Sequence, residues 1–211
     1  MHRLVRSELT SLLPADLANF SCYPRPFPAL FLDRDGVINI DTGYLHRSED
    51  CRFVDGIFDV AREFAPTHAL IIVTNQAGIG RGFYTEDQFA DFMNWMQERF
   101  ANEGVPLTAV YYCPDHPEDG ICAYRRHNDW RKPGAGMFMQ AARDFPIDMA
   151  RSWCIGDTAK DMIAADRAGV GTRVLLSGER NAKVVEASHH VECLGEVRRL
   201  LAAPAESQVR G

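Results

Sequence analysis

A series of short apolar runs most constrains the fold: Ala29 to Leu32, Ala69 to Val73, Ala109 to Tyr112, Ser152 to Ile155 and Arg173 to Leu176, each bounded by turn signals. Near-continuous apolar strands of this kind suit a sheet covered on both faces. Helical patterns lie between them. Thr85-Glu86-Asp87-Gln88 reads as a capping box opening a helix with Phe89, Phe92, Met93, Met96 and Phe100 on one stripe. Ile57, Val60, Ala61 and Phe64 repeat that spacing in a shorter helix, and Met137, Phe138, Ala141 and Phe145 in another. A fourth is expected from Asp157 to Ala168, closed by Gly169. Strands alternating with helices imply right-handed βαβ units and an open parallel sheet, an α/β class.

At 211 residues the chain fits one domain. Residues 1–28 end in Pro24-Arg25-Pro26-Phe27-Pro28 and read as an N-terminal extension, 29–203 as the domain and 204–211 as a tail. The net charge of −6 disfavours nucleic acid as a partner. No apolar run approaches the roughly 20 residues that span a bilayer, and Glu8 and Asp16 interrupt the first thirty residues, so a cytoplasmic protein without membrane contact is expected. A monomer or weak dimer is the expected state. The six cysteines include no C-x-x-C pair and read as reduced thiols, with Cys154 a small core residue. His46, His68, His189 and His190 read as surface residues.

In open parallel sheets the functional groups gather at the carboxyl ends of the strands. Asp33 and Asp35 follow the first run, Thr74-Asn75 the second and Gly156-Asp157 the fourth. Two carboxylates at the edge of a low-dielectric core repel one another and call for a cation. Alone, Asp-x-Asp also suits a helix cap, a turn or a calcium loop. The other strand ends add components of phosphate chemistry. Thr74 to Gly82 reads as a loop with three glycines, whose N–H groups, with the Thr74 hydroxyl, can meet an anion. Arg131-Lys132 stands immediately before a helix start, with Pro133 fixing the backbone. If Asp157 opens its helix, Asp161 lies one turn further in and can brace the loop or the metal shell.

These elements, in this order, resemble the haloacid dehalogenase-like (HAD) phosphatase superfamily over roughly residues 29–180. Within it, Phe31-Leu32-Asp33-Arg34-Asp35-Gly36-Val37-Ile38-Asn39, Asp41-Thr42-Gly43-Tyr44, Val73 to Gly82 and Tyr111-Tyr112-Cys113-Pro114 are similar to the histidinol-phosphatase and D-glycero-D-manno-heptose 1,7-bisphosphate 7-phosphatase group. The resemblance implies a Rossmann-like HAD fold in three α/β/α layers, with a minimal cap made of loops. It implies a Mg²⁺-dependent phosphatase acting on a small phosphorylated sugar, with removal of the 7-phosphate of heptose 1,7-bisphosphate as the first reading. The alternatives are histidinol phosphate or another small phosphomonoester and, in another class, a non-catalytic phosphosugar-binding protein. By resemblance, Asp33 is the nucleophile, Asp35 the acid and base, and Thr74 and Lys132 bind the phosphoryl oxygens. Mg²⁺ is held by Asp33, the Asp35 carbonyl and Asp157, with Asp161 in support. Asp41, Thr42, Gly43, Tyr44, Asn75, Gln76, Ala77 and Arg131 bind substrate.

Many members of the group carry a structural zinc site, written Cys-x-His and then Cys-x-Cys before Arg-Lys-Pro. Here Asp115 stands in the His position, and Asn128-Asp129-Trp130 replaces Cys-x-Cys. The expectation is that Asp115, Asn128 and hydrogen bonds staple the loop. A different zinc set from Cys113, His116, Cys122 and His127 is the alternative.

Overall fold

The structure, a computed structural model, describes residues 26–176 and 184–202. Its strands are β1 (Ala29–Leu32), β2 (Ala69–Asn75), β3 (Ala109–Cys113), β4 (Trp153–Gly156), β5 (Thr172–Leu176) and β6 (His189–Val191). Its α-helices are α1 (Ile57–Phe64), α2 (Ala77–Gly80), α3 (Glu86–Asn102), α4 (Gly136–Asp144), α5 (Ala159–Arg167) and α6 (Leu194–Ala202). The strands form one parallel sheet in the order β3-β2-β1-β4-β5-β6.

Side chains that alternate along each strand explain the layers. Leu30 and Leu32 of β1 and Ile72 of β2 join a core with Phe64 of α1, Phe89, Met93 and Phe100 of α3, and Leu194 of α6. Ala29, Phe31, Ile71 and Val73 join a second core with Met137, Phe138 and Ala141 of α4 and Met162 and Ala165 of α5. Each fully buried Leu, Ile or Phe contributes about 1.5–3 kcal/mol, so both faces of the sheet must be covered for it to persist. The result is the three-layer α/β/α sandwich. The chain runs outward from β1 to β3 and then returns to β4 on the other side of β1. The switch point of the topology therefore lies between β1 and β4, where a crevice for ligand is expected.

Several elements depart from the sequence reading. The Thr74 to Gly82 segment is not all loop, since residues 77–80 form α2. A Cβ on Gly78 would stand 2.3 Å from the Tyr84 ring, and one on Gly80 2.3 Å from the Pro114 carbonyl oxygen, so these glycines serve close packing. α5 begins at Ala159 rather than Asp157, because Thr158 is its cap. The Thr158 amide and hydroxyl both donate to Asp161 Oδ2, at 3.0 and 2.6 Å. His189, read as a surface residue, is half-buried in the edge strand β6, and His190 beside it is exposed. His46 is half-buried as well, its ring stacked on Tyr84. His68 is also half-buried, and burial pushes its pKa down to about 4. Phe27 is buried and bridges to Ile147, so packing begins inside the stretch read as an extension. Residues 1–25 of that extension and the 204–211 tail lie outside the described residues. No helix among the described residues is long and apolar enough to cross a membrane.

Candidate active site

The ends of β1, β2 and β4 and the turn before α4 close around a cleft of about 430 Å³. Asp33, Asp35, Thr74, Lys132, Asp157 and Asp161 all line it, as do Asp41, Gly43, Tyr44, Asn75, Gln76, Ala77 and Arg131. Thr42 is the exception. It faces an adjoining hollow with Leu45, Glu49 and Arg52, because the turn at Gly43 (φ 78°) carries the chain past it.

Lys132 is the hub. Its side chain is 2% exposed, and Nζ lies 3.0 Å from Asp33 Oδ1, donates to the Val73 carbonyl at 2.9 Å and pairs with Asp161. Burial works against the ammonium, but the Asp161 and Asp33 carboxylates outweigh it and hold the Lys132 pKa above its usual value. Asn75 fixes this lysine's backbone: its Nδ2 donates to the Lys132 carbonyl and its Oδ1 accepts the Lys132 N–H, both at 3.0 Å. That clasp explains how β2 positions a residue 57 positions later in the chain.

One lysine does not balance the acids around it. Burial raises the Asp33 pKa well above the ordinary carboxylate range; Lys132 opposes the rise, and Asp161 and Asp157 add to it. Burial, then Asp161, pushes Asp157 up to about 7. Asp157 packs so closely on the Gly36 backbone that a Cβ there would stand 2.1 Å from its Oδ2, and Gly36 has φ 81°. Asp33, Asp157 and Asp161 can each offer an oxygen within 4.8 Å of the others. An all-oxygen, carboxylate-rich donor set suits a hard divalent cation, and burial that raises two of the acids is relieved by one. The residues therefore fit Mg²⁺. Asp35's carboxylate lies outside that group.

Asp35's side chain is held elsewhere. Its Oδ1 accepts from Arg34 Nε (3.2 Å), Arg34 Nη2 (2.7 Å) and Asn39 Nδ2 (3.0 Å). Its Oδ2 accepts from Arg34 Nη2 (2.7 Å) and Gln76 Nε2 (3.3 Å). Gln76 also donates to Thr74 Oγ1 at 2.9 Å and accepts from the Tyr84 hydroxyl at 2.6 Å, so a buried chain of hydrogen bonds links β2 to Asp35. Sequence reasoning gave no role to Arg34, Asn39, Tyr84, Thr158 or Lys160. Two of these carried a signal: Arg34 continues the parity of Leu30 and Leu32, which turn toward α3, and Thr158 stands three residues before Asp161 at capping-box spacing.

At the rim, Asp41 Oδ1 accepts the Gly43 N–H at 2.9 Å. Tyr44 holds a left-handed backbone (φ 53°) with its ring 4.5 Å from Phe83 and its hydroxyl bonded to Arg81. In the loop after β3, Asp115 is buried and its Oδ2 accepts from Arg126 Nε at 2.9 Å and from Asn128 Nδ2. The Asp115 carbonyl accepts from Arg131 Nη1 at 3.1 Å, which ties the loop to the cleft. Among the described residues, Cys113, His116, Cys122 and His127 form no group able to share a metal ion.

Comparison with known proteins shows the family. A family model described as HAD-hydrolase-like matches residues 129–196. The D-glycero-beta-D-manno-heptose-1,7-bisphosphate 7-phosphatase of Vibrio cholerae is 49% identical over 151 residues, which are 71% of this chain and 81% of that one. The chain belongs to the HAD phosphatase superfamily, in its heptose-bisphosphate phosphatase group. Another member of this group, the D-glycero-alpha-D-manno-heptose-1,7-bisphosphate 7-phosphatase of Burkholderia mallei, is 47% identical over 164 residues, 77% of this chain and 87% of that one. Among solved structures, the D,D-heptose 1,7-bisphosphate phosphatase of B. bronchiseptica, complexed with magnesium and phosphate, aligns with TM-score 0.69 at 28% identity over 83% of this chain and 98% of that one. A HAD-like phosphatase from Mesorhizobium loti aligns with TM-score 0.74 at 31% identity, over 89% and 90%. Like its relatives, this member is a phosphoric monoester hydrolase.

Proposed function

We propose that this phosphatase removes the 7-phosphate of D-glycero-D-manno-heptose 1,7-bisphosphate through an aspartyl-phosphate on Asp33. The observation that carries the reading is the Asp33, Lys132, Asp157 and Asp161 cluster beside Asp35 at the sheet's switch point. An Asp33 oxygen attacks phosphorus as the bond to the sugar oxygen breaks. Asp35 gives that oxygen a proton, then takes one from the water that hydrolyses the aspartyl-phosphate. The Lys132 ammonium and Thr74 hydroxyl meet the phosphoryl oxygens as charge shifts among them. Asp33, the Asp35 carbonyl and Asp157 would hold Mg²⁺, with Asp161 bracing Lys132 and the α5 cap. Bound there, the ion supplies positive charge to the carboxylates and the phosphoryl group.

Asp41, Gly43, Tyr44 and Arg131 contact the rest of the substrate, a polyol with a second phosphate, and Lys160 adds a cation to the same cleft. The loop after β3 is stapled by Asp115, Arg126 and Asn128 without zinc. Steady-state kinetics with both anomers of the heptose bisphosphate and with histidinol phosphate tests the substrate reading. A kcat/KM at least about tenfold higher for one heptose anomer is expected, and the reverse order assigns the chain to histidinol phosphate.

A further inference from the structure

Arg34 is the most conspicuous charged group that the chemistry above leaves without a task. Its side chain is fully buried, its guanidinium lies 5.2 Å from the centre of the Phe92 ring and 5.8 Å from that of Phe89, and Nη1 is buried without a hydrogen-bond partner. Placing a guanidinium there is unfavourable for stability, since a buried donor left unmet and a desolvated charge both oppose folding. An apolar side chain would complete the core of Leu30, Leu32, Phe89 and Phe92 more simply.

The contacts made by the rest of the group explain its presence. Nη2 lies 2.7 Å from both oxygens of Asp35, and Nε adds a 3.2 Å contact to Oδ1. With Asn39 on the same oxygen, Oδ1 has three donors and the carboxylate plane is fixed. Oδ2 has the Arg34 contact and only a long one from Gln76, at 3.3 Å. Oδ2 is thus the oxygen with capacity to spare, on the side of Gln76, which lines the cleft. α3 is the base of the clamp, because Phe89 and Phe92 hold the guanidinium from below.

We infer that Arg34 is a positioning residue, which locks the Asp35 carboxyl group so that Oδ2 is the oxygen exchanging a proton with the leaving sugar oxygen. This inference rests on the acid and base role proposed for Asp35. In the first step the Asp33 oxygen to phosphorus bond forms and the phosphorus to sugar oxygen bond breaks. The bonding pair goes to the sugar oxygen, which takes the Asp35 proton. Misplacing Asp35 should then harm departure of a poor leaving group and spare a good one.

The test measures single-turnover release of the leaving group at saturating Mg²⁺ from two substrates. One is the sugar phosphate that the enzyme hydrolyses fastest, whose alkoxide needs a proton; the other is p-nitrophenyl phosphate, whose phenolate leaves without one. Arg34→Lys keeps the charge but loses the two-point contact. It should slow the sugar phosphate about tenfold or more and p-nitrophenyl phosphate less than about threefold, a smaller version of the pattern expected for Asp35→Asn. Arg34→Met should show the same pattern more strongly; if it does not fold, Arg34→Lys carries the test alone. Equal slowing of both substrates, or no slowing, in Arg34→Lys while Asp35→Asn discriminates between them makes Arg34 a purely structural residue and overturns the inference. If Asp35→Asn does not discriminate either, the acid role of Asp35 is wrong and the inference falls with it.

Discussion

Asp33 and Asp115 both follow a strand of the same sheet, and their surroundings are opposite. Asp115 is buried and its Oδ2 is met by the Arg126 guanidinium and the Asn128 amide. Asp33 shares one buried lysine with Asp161, close to Asp157, and burial and its acidic neighbours hold its pKa well above the ordinary range. A carboxylate kept for structure is given its donors by the chain itself. A cluster with more acid than base is left for something from outside, a metal ion and a phosphoryl group, to balance. That contrast separates the site from its scaffold more sharply than any single motif, and it can be attacked by experiment.

The largest effect should come from the centre of the unbalanced cluster. Asp33→Asn keeps the shape and removes the nucleophile, so kcat should fall by roughly a thousandfold or more while the melting temperature holds or rises. Residual turnover near that of the unaltered protein would put the nucleophile elsewhere. Lys132→Met comes next. It should cost about 3 kcal/mol of stability by stranding buried acids, and lower kcat about a hundredfold or more. Added Mg²⁺ should recover part of the stability but not the rate; a variant as stable as the parent without metal would show that the acids were never in conflict.

A third effect depends on pH. In the metal-free protein Asp157 titrates at about 7, against an ordinary value of 3.8. Between those values the unfolded chain has released the proton and the native site still holds it. Asp157 therefore favours the native state fully below about pH 4, and that contribution is lost as pH rises toward 7. Denaturant unfolding of the chelated protein at a series of pH values should show this as a downward contribution across the window, set against the upward one of His68, which burial holds at about 4. Asp157→Asn should remove that downward contribution, as should saturating Mg²⁺ in place of the proton. An equal slope in Asp157→Asn would place the titrating group elsewhere.

The two regions were unequally legible in the sequence. Strands β1 to β5 were visible because a sheet covered on both faces leaves uninterrupted apolar runs. β6 was not, because His189-His190-Val191 forms an edge where such a run is not required. Asp33, Asp35, Thr74 and Asp157 could be placed together from strand ends alone, since a parallel sheet brings those ends to one side, whereas Lys132, ahead of a helix start, joined them only through the family resemblance. Tyr84 could not, and the parity of Arg34 and the capping spacing of Thr158 with Asp161 are signals that strand ends do not carry. Their roles depend on which way a side chain turns once α3 and α5 are docked, and the cap that pairs Thr158 with Asp161 shifted the helix start by two residues. Thr42 shows the complementary limit: it adjoins Gly43 and Tyr44, which line the cleft, yet it lines the next hollow itself.

The smallest effect should come from Asp115, whose Oδ2 is met by two side chains. Asp115→Ala removes an acceptor that two side chains share, yet Arg126 is half-exposed and can turn to water. The melting temperature should therefore fall only by about 4 °C. Turnover of p-nitrophenyl phosphate should stay within about threefold of the parent's, because the Asp115 carbonyl that holds Arg131 is retained and Lys132 is held by Asn75 from β2. Elemental analysis of protein grown with added zinc should find none at stoichiometric amounts. One zinc per chain, or a loss of turnover in Asp115→Ala as deep as in Lys132→Met, would erase the difference between the two carboxylates. The loop would then have to be counted with the cluster as part of one site.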